Sequence, residues 1–121
     1  MDRHDLARRG EDAAAAFLER VGMTVVERNW RCQAGEADII ATDGDQLVIV
    51  EVKTRRSERT GSPEEAVTPT KQRRIARIAK AYAAVNGLTP QRVRFDVITI
   101  RVLSEDRALL RHLRDAFSVE G

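Results

Sequence analysis

The chain has 121 residues, 42% of them hydrophobic and 33% charged, which suits one globular domain with one modest core. No apolar run is long enough to span a membrane, the start "MDRHDLARRGED" is too charged for a secretory signal, and the single cysteine, Cys32, excludes an internal disulfide and a four-cysteine zinc site. A net charge of +2 demands no anionic partner, yet of 21 basic residues only Lys53, Lys71 and Lys80 are lysine, and arginine is the residue that grips phosphate with two parallel bonds.

Residues Leu6 to Val21 predict an amphipathic helix. Leu6, Ala13, Phe17 and Val21 follow helical spacing, with Ala14 and Leu18 alongside. Gly22 ends it. Gly10 costs about 1 kcal/mol against alanine inside a helix, so close backbone packing is expected there. "TVVERNWRC" predicts a strand over 23–32 and "EADIIAT" a second over 36–42. "DGD" supplies a hairpin turn, and 46–53 form a third strand. "TRRSERTGSPEEAV" is polar and broken by glycine and proline, which predicts a loop with one helical turn.

Thr68 before Pro69 is a cap followed by proline at the first helical position. A helix is expected from there to about Asn86, ended by Gly87. Ile75, Ile78, Ala79, Tyr82 and Val85 form its buried stripe, and Arg73, Arg77 and Lys80 its solvated face. Lys71 falls within the stripe by helical angle, with Gln72 at its edge. Residues 92–103 predict a fourth strand, with a bulge or burial on both faces near Val97 and Ile98. From Ser104 onward the pattern fits a terminal helix or a last strand and turn. The order α-β-β-β-α-β makes an α/β (α+β) domain with helices flanking a mixed sheet. A single domain spans 1–121, with 104–121 as its less defined extension.

The third strand carries the question of function. "LVIVEVK" is an apolar run closed by Glu51 and Lys53, which share one side of the sheet because side chains alternate. If the hairpin loop is Asp43–Gly44, Glu36 falls opposite Glu51. If it is Asp43–Gln46, Asp38 falls opposite Glu51. Either even length puts Glu36, Asp38, Glu51 and Lys53 on one face, whereas an odd loop would turn Asp38 away. A surface ion pair at a strand end is the alternative for Glu51 and Lys53, and solvent-facing strand acids the alternative for Glu36 and Asp38.

Like charges opposite one another destabilise a sheet. A divalent cation compensates them, and oxygen ligands suit Mg²⁺ or Mn²⁺. Beside metal-bound carboxylates, an ammonium can position an attacking water or stabilise charge on a five-coordinate phosphorus. That is the chemistry of phosphodiester hydrolysis.

"GEAD", "LVIVEVKTR", "EEAVTPTKQRRI" and "RFDVI" together resemble the YraN/UPF0102 family of small bacterial proteins. That family is similar to archaeal Holliday-junction resolvases of the PD-(D/E)XK nuclease superfamily. The resemblance covers about residues 8 to 100 and implies a restriction-endonuclease-like fold. It implies a catalytic set of Asp38, Glu51 and Lys53, joined by Glu11 from "RGEDAAAAFL" on the first helix. Helical geometry puts Glu11 at the flank of the apolar stripe. The metal ligands so implied are Asp38, Glu51, the Val52 carbonyl and Glu11, with Glu36, Gln72 and Lys71 in support. The superfamily's proline before the first acid is absent, since Ala37 precedes Asp38.

Arg55, Arg56 and Arg59 follow Lys53 and are expected to hold phosphates without reading sequence. Asp96 is expected to act as a structural hydrogen-bonding group. His4 and His112 are isolated and receive no role, and Trp30 is assigned to the core. The resemblance implies a metal-dependent endonuclease acting on branched or structured DNA; the single cysteine, the charged start and the lack of a long apolar run make the cytoplasm the expected location, without membrane association. The resolvases act as two-fold dimers, which suits a four-way junction, so a homodimer is its corollary. The alternatives are a nucleic-acid-binding module or nuclease subunit that needs a partner, and an interaction protein with a surface ion pair.

Overall fold

The local signals for helix and turn hold. In the computed structural model, which describes residues 2–56, 68–89 and 92–120, helix α1 spans Arg3–Arg20 and is capped by the Asp2 carboxylate, which accepts the Asp5 N–H. Helix α2 spans Pro69–Val85, with the Thr68 hydroxyl accepting the Lys71 N–H. Gly87, at a positive φ of 65°, lets the chain turn back so that the Leu88 N–H reaches the Ala83 carbonyl. Strands β1 (Thr24–Cys32), β2 (Gly35–Asp43) and β3 (Gln46–Arg55) follow α1. Strands β4 (Arg92–Ser104) and β5 (Arg107–Glu120) follow α2. The carboxy-terminal segment is thus the strand of the two alternatives, and it extends the same sheet. Residue 59 and most of the loop expected after Lys53 lie outside the described residues.

The five strands lie in chain order, β1-β2-β3-β4-β5, and every pair is antiparallel except β3 with β4. The parallel pair requires a crossover, and α2 supplies it. This is a mixed sheet covered by a helix on each face, consistent with the restriction-endonuclease-like arrangement. On one face Ile75, Ile78, Ala79 and Tyr82 of α2 pack on Ile40, Leu47, Ile49, Phe95 and Val97. On the other, Ala14 and Leu18 of α1 pack on Ile39, Ala41, Val48, Val50, Ile98 and Ile100. The middle strands are buried on both sides, so they read as continuous apolar runs.

Two expectations need correction. The buried stripe of α1 is Gly10, Ala14 and Leu18; Ala13 is exposed and Val21 is 48% exposed. The helix begins three residues earlier than the apolar pattern, and its small residues face the sheet. In α2, Val85 is exposed and Ala83 is buried instead, because the last turn runs past the sheet. The expectation for β4 holds: residues 93–98 are all buried, with Val97 in one core and Ile98 in the other, and the pairing register shifts between Phe95 and Val97. The irregularity lies in β5: Phe95 pairs with Phe117 but Val97 pairs with Leu113. The extra residues of β5 bulge around Asp115, which takes a φ of 57°.

Gly10 meets its expectation. A Cβ built there would overlap the Thr54 Oγ1 of β3, so α1 touches the sheet with its backbone. Gly10→Ala is expected to destabilise the fold by about 1–3 kcal/mol, outweighing the helical gain of about 1 kcal/mol. Adding Thr54→Ala should recover most of the melting temperature. An unchanged melting temperature in Gly10→Ala would show that the contact does not hold the helix.

Candidate active site

The β2–β3 hairpin turns through Gly44 and Asp45, with Asp43 opposite Gln46 and Thr42 opposite Leu47. The loop is even in length, and its register brings Asp38 level with Glu51, but the single shared face expected of Glu36, Asp38, Glu51 and Lys53 is not kept, because alternation in β2 breaks beside Asp38. Pairing between the two strands ends at Ile39 and Val50. Beyond that point they part, and the Val52 N–H donates to the Asp38 carboxylate at 2.8 Å. Side-chain alternation in β2 slips at the same place. Ala37 packs in the α2 core with Ile40, while Ile39 packs in the α1 core. Asp38 therefore sits in the fork of the hairpin, where its carboxylate replaces a neighbouring strand as acceptor.

Glu51 and Lys53 project on the α2 side, as their alternation with Leu47 and Ile49 requires. The first turn of α2 lies over them. Lys71 Nζ is 2.5 Å from Glu51 Oε1, and Lys53 Nζ is 3.6 Å from the same oxygen. The Glu51, Lys53 and Lys71 side chains are only 19%, 24% and 18% exposed. The second carboxylate oxygen, Glu51 Oε2, is buried and has no hydrogen-bond partner among the described residues. A buried anionic oxygen left unpaired is costly, and it is the feature in this cluster that structure alone does not satisfy.

The electrostatics are unusual for an acid at a strand end. Burial pushes the Asp38 carboxyl up to about 6; the Val52 N–H opposes this, and the charges of Glu11, Glu51 and Glu36 reinforce it. Burial also lowers Lys53, with Glu51 pulling upward and the Lys71 ammonium pushing further down. The raised carboxyl has a consequence for stability. Folded Asp38 binds its proton more tightly than the unfolded chain, so its contribution is full at low pH and is lost as pH rises through about 6. Urea denaturation in EDTA should show the wild type losing stability relative to Asp38→Asn between about pH 4 and pH 6. A constant difference across that interval would refute the buried setting of Asp38.

The other expected residues divide. Glu11 is half-buried on α1, one residue from the Gly10 contact, and its Oε1 accepts from Asn29 Nδ2 at 3.1 Å. Its charge acts on Asp38. Glu36 lies at the rim and pairs with Arg31 at 3.3 Å. Gln72 is half-buried beside Lys71. Arg55 and Arg56 are exposed just past the site, and Arg59 is outside the described residues. Arg73, Arg77 and Lys80 are exposed, as expected of a solvated helix face. Among the described residues, no group of three His, Cys, Asp or Glu side chains is gathered as a ready-made metal cage. Lys71 and Lys53 hold Glu51 Oε1, and Asn29 holds Glu11.

A second charged cluster lies on the α1 face. Asp96 is fully buried and accepts from Arg94 Nε at 2.9 Å and Nη2 at 3.0 Å. The Asp115 N–H donates to it at 2.9 Å, and His112 Nε2 lies 2.8 Å away. Arg94 and Arg114 also both donate to Asp43 Oδ2 at 2.8 Å. Burial alone would raise the Asp96 carboxyl, but the bonds from His112, Arg94 and Asp115 together hold it below the usual carboxylate range. The structural role expected of Asp96 is seen. His112 is not isolated: it joins Asp96 and stands edge-on to Phe17 of α1, with ring centres 5.7 Å apart. Trp30 is also partnered, edge-on to Tyr82 at 5.2 Å, within the α2 core.

Comparison with known proteins places the chain. Residues 10–100 match the model of "Uncharacterised protein family UPF0102". A UPF0102 protein of Geobacter sulfurreducens is 50% identical over 111 residues, covering 92% of this chain and 87% of the relative. One from Rhodococcus jostii is 50% identical over 116 residues, covering 94% and 98%. One from Geotalea uraniireducens is 44% identical over 120 residues, covering 98% and 93%. The crystal structure of SSO0001 is similar with a TM-score of 0.33 and 19% identity, over 86% of this chain and half of that one; a likeness at that level carries no argument. The chain belongs to the UPF0102 family.

Proposed function

We propose that this protein is a metal-dependent endonuclease that hydrolyses phosphodiester bonds in branched or otherwise structured DNA. The observation that carries the reading is the fork of β2 and β3. It brings a raised aspartate, a glutamate with one unpartnered buried oxygen, and a lysine lowered by burial to one place. Perturbed groups gathered by specific partners are a mark of chemistry more than of packing.

The donor set suits a hard divalent ion, Mg²⁺ or Mn²⁺. Asp38 and Glu51 would hold it, joined by the Val52 carbonyl and Glu11, and Glu51 Oε2 is an anionic oxygen still to be satisfied. When bound, such an ion polarises the phosphoryl group and acidifies water. The protein's own residues do the rest. The Val52 N–H fixes the Asp38 carboxylate. Lys53, with its pKa lowered, is suited to orient the attacking water and to hold charge beside the phosphorus. Lys71 fixes the Glu51 carboxylate from α2. Arg55 and Arg56 lie next along the chain to hold flanking phosphates, and Glu36 and Gln72 support the rim.

No helix among the described residues is long and apolar enough to cross a membrane. DNA as substrate implies the cytoplasm, and a four-way junction would favour a two-fold pair of copies. The reading is tested by a nuclease assay in Mn²⁺ over forked, flapped, four-way and linear DNA, with Lys53→Ala as the control. Cleavage that depends on Lys53 supports it. Metal and DNA binding without cleavage would favour a subunit that needs a partner, and the absence of both would leave an interaction protein.

A further inference from the structure

The register of β3, β4 and β5 carries the α2 face beyond the end of α2. Glu51, Val97 and Leu113 lie side by side; then Lys53, Thr99 and Arg111; then Arg55, Arg101 and Leu109. Core packing fixes which way these rows face. Ile49, Val97 and Leu113 belong to the α2 core, whereas Val50, Ile98, Ile100 and Leu110 belong to the α1 core. Thr54 meets Gly10 of α1. By alternation Lys53, Arg55, Thr99, Arg101, Leu109 and Arg111 therefore share the α2 side. The first row is covered by α2 through Lys71 and Glu51.

The next two rows hold four cations and no acid. Arg55 and Arg111 are exposed, Arg101 is half-buried, and Leu109 is 48% exposed. Among the described residues neither Arg101 nor Arg111 has a carboxylate within ion-pair distance, in contrast to Arg8, Arg28, Arg31, Arg94 and Arg114. The next acids along the chain, Glu105 and Asp106, belong to the β4–β5 turn, where Ser104 binds Asp106. Strand spacing puts cations in adjacent strands about 5 Å apart and those two residues apart on one strand about 7 Å apart. Such a grid matches a polyanion bearing one charge per ~3.4 Å of axis on each strand.

We infer that Arg101 and Arg111, with Arg55, form a platform on the α2 face that grips the phosphodiester backbone of nucleic acid beside Lys53 and Glu51. This deepens the nuclease reading of the same site and rests on it. The contacts are with phosphates, so the platform sets affinity and register without reading sequence.

The test is fluorescence anisotropy of labelled duplex and four-way DNA in EDTA, from 50 to 200 mM salt, with single-stranded RNA as a further arm. Arg101→Gln/Arg111→Gln should reduce the salt slope on duplex by about 1.8 and weaken binding roughly 60-fold at 0.1 M salt, for affinities that converge at 1 M. Arg101→Lys/Arg111→Lys should keep the wild-type slope, which a merely structural role would not predict. Arg20→Gln, at the end of α1, should bind as wild type. Parallel losses on DNA and RNA would assign the grip to the phosphates both share, and a loss confined to DNA would assign it to DNA geometry. An unchanged slope in the glutamine pair, an equal loss in Arg20→Gln, or no binding by the wild type overturns the platform. Intact binding without cleavage in Mn²⁺ overturns the hydrolysis reading alone.

Discussion

Glu51→Gln is expected to lower DNA cleavage by about three orders of magnitude, the scale of several kcal/mol of lost charge stabilisation. The amide keeps the shape of the side chain and removes its charge, so the fold is retained while the site changes in three ways. Glu51 Oε2, the unpartnered buried oxygen, ceases to be an anionic ligand. Asp38 loses one of the charges that raise it, so its carboxyl should titrate lower in EDTA. Lys53 loses the carboxylate that opposes its burial, so its ammonium should titrate lower still. Carbon-detected NMR titration reads both shifts, and calorimetry reads the lost affinity for Mn²⁺. A variant retaining a tenth of the wild-type rate would remove Glu51 from the chemistry, and unshifted titrations would remove it from the electrostatics of the fork.

The largest effect on stability is expected at Asp96. Its carboxylate is fully buried and receives Arg94, His112 and the Asp115 N–H. Asp96→Ala leaves the Arg94 guanidinium buried with Asp43 as its remaining carboxylate partner, and leaves the β5 bulge without its acceptor. Breaking one side of a buried pair costs about 3–5 kcal/mol, which for a domain of this size lowers the melting temperature by roughly 10–20 °C. Arg94→Met combined with Asp96→Leu should cost less than Asp96→Ala alone, because no charge is stranded. A fall of less than about 5 °C in Asp96→Ala would mean that water satisfies the network.

The two charged clusters were unequally legible in the sequence. Asp38, Glu51 and Lys53 lie on adjacent strands joined by a short turn, so hairpin register could bring them level, but the slip in alternation at Asp38 could not be read from the sequence. Lys71 could be placed by helical angle, but not its contact with Glu51, which depends on how α2 docks. His112 gave no signal because its partner Asp96 is reached only through β5, and β5 itself could not be told from a helix. "RALLRHLRDAF" has apolar residues at spacings that serve either period; pairing with β4 decides it. The buried face of α1 was legible in part: Gly10, Ala14 and Leu18 were among the expected positions, but apolar spacing also favoured Ala13 and Val21, which the close approach to β3 leaves outside the contact.

The double grip of Lys71 and Lys53 on Glu51 has an electrostatic result for the DNA substrate proposed above. Two bare carboxylates would repel an incoming phosphate until a cation screened them. Lys71 and Lys53 offset part of the negative charge that Glu51, Asp38, Glu11 and Glu36 bring together, so on that reading an incoming strand would meet less repulsion than the acids alone would present.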